Sequence, residues 1–134
     1  MPVFSMSGKR PADLGVSQGR LKACPSSPNC VCSFDTDQEH GIEPIAFSGD
    51  AKTAIASLKQ AIQSIPMTEI IESSDTYIYA EFTTKLMGYV DDVEFYIPEN
   101  SSVIHVRSAS RLGKSDLGLN RKRIEGIRVQ FKGE

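Results

Sequence analysis

The chain has 134 residues, a formal net charge of −2, 40% hydrophobic and 24% charged side chains, and no Trp. That length suits one domain, and that balance supports a core and excludes global disorder. No apolar run is long enough to span a bilayer, and an isoelectric point near 5.7 argues against a general nucleic-acid binder.

Residues 1–12 read as a flexible tail and 13–134 as one domain. The opening MPVFSMSGKRPADLG has no apolar signal-peptide core, so a cytoplasmic address is expected. Up to residue 47 the chain is punctuated by Pro2, Pro11, Pro25, Pro28 and Pro44, and neither a period of 2 nor of 3.6 holds for long. Its apolar residues, among them Leu14, Leu21, Val31, Phe34 and Ile45, favour an extended segment that wraps the domain.

All three cysteines lie in CPSSPNCVC, Cys24 to Cys32. A Cys24–Cys30 disulfide is feasible, with Pro25, Pro28 and Asn29 forming a rigid turn. A zinc site with His40 has the spacing C-x5-C-x-C-x7-H, which fits no familiar template. A nucleophilic Cys32 needs a nearby base, and His40 and His105 are the two histidines on offer. Structural roles are favoured for all three, with Cys24 and Cys30 able to pair. No metal or cofactor is expected, and DTDQEH reads as a solvated loop.

Ile55, Leu58, Ile62 and Ile65 form one stripe of a helix over 50–65, capped by Ser48 or Asp50 and stopped by Pro66. The period then changes to two. Strands are predicted over 68–73, 76–84, 89–97 and 102–109, joined by short turns. Ile78, Ala80, Phe82, Val93, Phe95, Ile97, Ile104 and Val106 face inward, whereas Tyr77, Tyr79, Glu81, Asp92, Glu94, Tyr96, His105 and Arg107 face outward. A second helix over 118–131 has the stripe Ile124, Ile127 and Phe131, with Ser115 or Asp116 as its cap. The expectation is an α+β fold: a four-stranded antiparallel meander with one wet face, two helices packed on the other, and an extended N-terminal segment.

From Arg107 to Glu134 eight Lys or Arg face three acids, whereas residues 1–106 carry seven basic and fourteen acidic side chains. Arg107, Arg111, Lys114, Ser115, Asp116, Asn120, Arg121 and Arg123 are the candidate ligand-binding residues, converging on an anion near a helix N-terminus. Two structural alternatives are compatible with that reading. Arg107 or Arg111 pairs with Asp91, Asp92 or Glu94, and Asp116 caps the helix.

The stretches GKRPADLGV, GRLKACPSSPNCVCS, HGIEPI and SASRLGKSDLGLNRKRIEGIR together resemble the DUF1499 family, from about Gly8 to Phe131. That resemblance implies bacterial or photosynthetic-lineage relatives of unassigned activity, so no catalytic residues carry over. Where relatives typically read CVSS this chain has Cys32, which weakens the zinc and nucleophile readings. The main expectation is a non-enzymatic binding or accessory module for an anionic small molecule or a protein partner, with no nucleic acid. The rivals are a small enzyme, with Arg111, Lys114 and Arg121 clamping an anionic substrate while Asp116 or His105 moves protons, and a thiol redox-sensitive protein.

Overall fold

The computed structural model describes residues 9–85, 88–112 and 118–131. Its elements in chain order are β1 (Cys30–Cys32), β2 (Ile45–Ala46), α1 (Ala51–Gln63), β3 (Thr68–Ser73), β4 (Tyr77–Thr83), β5 (Val90–Tyr96), β6 (Val103–Ser110) and α2 (Leu119–Gln130). Among the described residues no helix is long and apolar enough to cross a membrane.

Helix α1 begins where Asp50 accepts a hydrogen bond from the Thr53 amide at 2.8 Å, satisfying an otherwise orphaned donor of the first turn. It buries Ala54, Ile55, Leu58, Ala61 and Ile62 and stops short of Pro66. β3 to β6 form the expected antiparallel meander, with Glu81 beside Asp92 and Glu94 beside Arg107 in register.

The expectation of four strands is corrected to six. β1 and β2 come from the irregular N-terminal segment and pair antiparallel with the far edge of β6, in the order β1-β6-β5-β4-β3, with β2 also on β6. Val31 stands opposite Ser108, and Ile45 opposite Ile104. Segments of three and two residues are too short to show a period of two.

Both helices pack on one face of this sheet. Ile55, Leu58, Ile62, Ile124 and Ile127 meet Ile78, Ala80, Val93, Phe95, Ile104 and Val106 in one core. Each of these side chains larger than alanine contributes about 1.5–3 kcal/mol by leaving water.

The opposite face is not wet, a second correction. Tyr79 is 4% exposed, Asp92 2%, Glu94 1% and Arg107 6%. The N-terminal segment lies over them: Leu21 and Cys32 pack with Tyr77 and Tyr79, flanked by Leu14, Cys24 and Phe34. The Gly15 amide donates to Glu94 at 2.6 Å and Arg10 to Glu81 at 2.7 Å. Of the expected tail over 1–12, residues 1–8 lie outside the described residues.

Candidate functional site

The two polar stretches meet along the outer edge of the sheet. Cys24 and Cys30 are joined by a disulfide with their Cα atoms 5.7 Å apart. It closes a turn in which Ser27 donates to the Asn29 side-chain oxygen at 2.7 Å. Asn29 then clamps the end of β6. Its carbonyl accepts from the Ser110 amide at 3.0 Å and from Asn120 Nδ2 at 3.2 Å, and its own Nδ2 donates to the Ser110 carbonyl at 3.1 Å. Beside Asn120 in the first turn of α2, Arg121 donates to the carbonyl of Glu39 at 3.1 Å.

The candidate ligand residues fall on two faces of the sheet. On the helix side, Asn120 is fully buried and its Oδ1 accepts from Ser108 at 2.6 Å and Arg123 at 2.8 Å. The Arg123 guanidinium pairs with buried Asp91 at 2.7 Å and lies over the Phe82 ring. On the other side, Arg111 makes two bonds to Asp92, both at 2.9 Å, and one to Glu81 at 2.7 Å. Arg107 faces Glu94 at 4.0 Å. The cap of α2 is Gly118, in left-handed backbone at φ 78°. Lys114, Ser115 and Asp116, including the expected caps, lie outside the described residues.

These networks explain the titration of their members. The hydrogen bonds to Asp92 hold the Arg111 guanidinium above its ordinary value. Burial pushes Glu81 up, but the bonds from Arg10 and Arg111 prevail and hold it below the usual carboxylate range. Glu94 goes the other way: burial raises it despite the donors Tyr77, at 2.6 Å, and Gly15. Its Oε1 and the Arg107 Nε find no hydrogen-bond partner among the described residues. Burial likewise raises the Tyr77 and Tyr79 phenols.

The remaining reactive side chains are held in structural contacts. His40 Nδ1 meets Asp37 at 2.7 Å and Nε2 meets the Ser27 carbonyl at 2.9 Å. Asp37, Glu39 and His40 offer ligand atoms within 4.8 Å of one another. Both ring nitrogens of His40 already face acceptors, so a metal would have to displace a proton and break one of these hydrogen bonds. Cys32 is buried, its thiol raised by that burial and set against the Lys22 carbonyl. His105 stacks on Phe34 with ring centroids 3.8 Å apart, and its Nδ1 meets Ser33 Oγ at 2.8 Å. Ser33 carries no signal in the sequence, because its partner is 72 positions away.

Residues 20–131 match the family model described as "Protein of unknown function (DUF1499)". The chain belongs to the DUF1499 family. No curated protein matches it. The DUF1499 match contains both polar stretches, the disulfide and all eight candidate ligand residues, whereas Arg10 and Gly15, which tie down the N-terminal cover, precede it.

Two pockets of this DUF1499 chain flank α2. One, of about 590 Å³, is lined by Ser33, Asp35, Asp37, Glu43, Arg121 and Glu125 among others. The other, of about 390 Å³, lies against the end of α1 and the end of β4, with Ile65, Phe82, Leu119 and Ile127 in its walls and Lys85 and Lys122 beside them. Sequence reading did not single out Lys85 or Lys122 as candidates; an exposed lysine is unremarkable until the fold puts an apolar wall next to it.

Proposed function

We propose that the chain is a non-enzymatic binding or accessory module that takes an anionic ligand or partner on the surface around the start of α2. One observation carries this. The guanidinium groups of Arg107, Arg111 and Arg123 sit within reach of buried carboxylates, whereas Lys85 and Lys122 are exposed beside a pocket. A charge already neutralised in the interior has little left for a ligand, and an exposed one attracts it. Arg111 and Arg123 are therefore assigned to the scaffold, and Arg107 and Asn120 join them because both are buried. Arg121, Lys122 and Lys85 are assigned to the ligand; Lys114, Ser115 and Asp116, which lie outside the described residues, are proposed with them from the sequence.

The test is calorimetric titration with inorganic phosphate and with short carboxylates. An Arg121→Ala/Lys122→Ala chain should fold normally, since neither side chain is buried, and should bind at least about tenfold more weakly. Unchanged affinity in that variant overturns the reading. As to location, the disulfide favours an oxidising compartment over the cytoplasm expected from the N-terminus. Thiol counting on protein isolated without reductant decides it: one free thiol supports the oxidised form, and three contradict it.

A second reading rests on Ser33 Oγ and His105 Nδ1 at 2.8 Å, a nucleophile–base distance, with Ser33 in the wall of the larger pocket. Burial lowers the pKa of His105, which keeps the ring neutral and basic in form. Against it, Ser33 Oγ already accepts from the Val106 amide at 2.8 Å, and the pocket's carboxylates oppose a developing oxyanion. Hydrolysis of small esters that disappears in Ser33→Ala would establish this alternative.

A further inference from the structure

We propose that the pocket of about 390 Å³ between α1, β4 and α2 binds a single-chain anionic amphiphile, such as a free fatty carboxylate. This rests on the anion-binding reading above and names the class of ligand. The walls supply an apolar slot, with Phe82 and Ile127 nearly fully buried and Ile65 and Leu119 partly exposed. Arg123 also lines the slot, but it is paired with Asp91 at 2.7 Å. The charge offered to a headgroup is thus that of Lys85 and Lys122, both exposed. The volume lies toward the small end of the range for small-molecule sites, roughly 300–1,000 Å³.

Gly126 is the second observation. It lies inside α2 and lines the same pocket. A glycine in a helix interior costs about 0.8–1.0 kcal/mol relative to alanine. Neither of the usual reasons for bearing that cost applies here. Its φ is outside the left-handed region, and a Cβ added to it would meet nothing within 4 Å. What the glycine provides is room, and the room opens onto the pocket. A concave slot of this kind takes one chain from solution; insertion into a bilayer instead calls for apolar side chains projecting beyond the charged ones.

The experiment is calorimetric titration of the full chain with decanoate below its micelle concentration, alongside inorganic phosphate and decyltrimethylammonium. Decanoate should bind at least about tenfold tighter than either comparison, and Gly126→Leu should lose at least about tenfold of that affinity. Its denaturation midpoint should stay at or above that of the unsubstituted chain, because leucine is the better helix former. Lys122→Glu should weaken decanoate binding without moving the midpoint. If phosphate binds as tightly as decanoate and Gly126→Leu changes nothing, the amphiphile inference fails while the anion reading stands. If no anion binds, both fall. Binding confined to phosphatidylglycerol vesicles, or a dimer that Gly126→Leu dissolves, overturns the inference in favour of a membrane or a second copy. Should Gly126→Leu lower the midpoint, the Lys122→Glu arm decides.

Discussion

Both ring nitrogens of His40 face acceptors, so the ring must carry two protons to satisfy them. The bond to the Ser27 carbonyl, and after it the bond to Asp37, raises its pKa above the ordinary value. A base whose folded pKa is raised stabilises the fold fully below the unfolded value, and that contribution fades as pH climbs through the folded one. Stability measured by urea denaturation should therefore fall from pH 6 to pH 8, and His40→Gln should flatten this dependence. An equally steep fall in His40→Gln would show that another group is responsible. Glu94 acts in the same sense: burial raises it, so the fold favours its protonated form and loses that preference as pH rises through its folded pKa. Cys32 contrasts with both. Fully buried, and with burial raising its thiol, it should resist maleimide in the native protein and react at once in denaturant.

Among the elements, α1, α2, β4, β5 and β6 were legible from their periodicity, and β3 as a short run between the breakers Pro66 and Ser73-Ser74-Asp75, although a bulge shifts its register between Ile70 and Glu72. β1 and β2 were not; they exist because β6 offers an unpaired edge that the wrapping segment reaches. The alternation Asp92, Glu94, Tyr96 correctly gave one face of β5 but not its burial, which depends on a cover supplied by residues far away in sequence. Candidate site residues were legible in the same partial way. The density of polar groups from Arg107 to Arg123 was plain, but the carboxylates that engage Arg111 lie 19 and 30 positions from it. Two glycines test the local geometry. Gly126→Ala should stabilise the chain by about 0.5–1 kcal/mol, since nothing crowds its Cβ. Gly41→Ala should destabilise it, because a Cβ there would stand 2.8 Å from the Asp37 carbonyl oxygen and 2.9 Å from that of Asp35. Thermal denaturation of the two variants should move in opposite directions.

For the whole molecule, the sheet is closed on both faces, by helices on one and by the N-terminal segment on the other, and each face holds an arginine–carboxylate cluster. The disulfide adds a local clip. Its six-residue separation gives a loop-closure contribution of about 2 kcal/mol, which Cys24→Ser/Cys30→Ser should forfeit. The account's central claim is that Arg107, Arg111 and Arg123 are buried struts and that, as proposed, ligand contact is left to Arg121 and Lys122 of α2 and to Lys85. The most direct test is the urea-denaturation free energy of Arg111→Ala. Removing that guanidinium takes the cationic partner from buried Asp92, whereas Glu81 keeps Arg10, so a loss of about 3–5 kcal/mol is expected. A variant as stable as the unsubstituted chain that has lost anion binding would contradict the account and return Arg111 to the ligand.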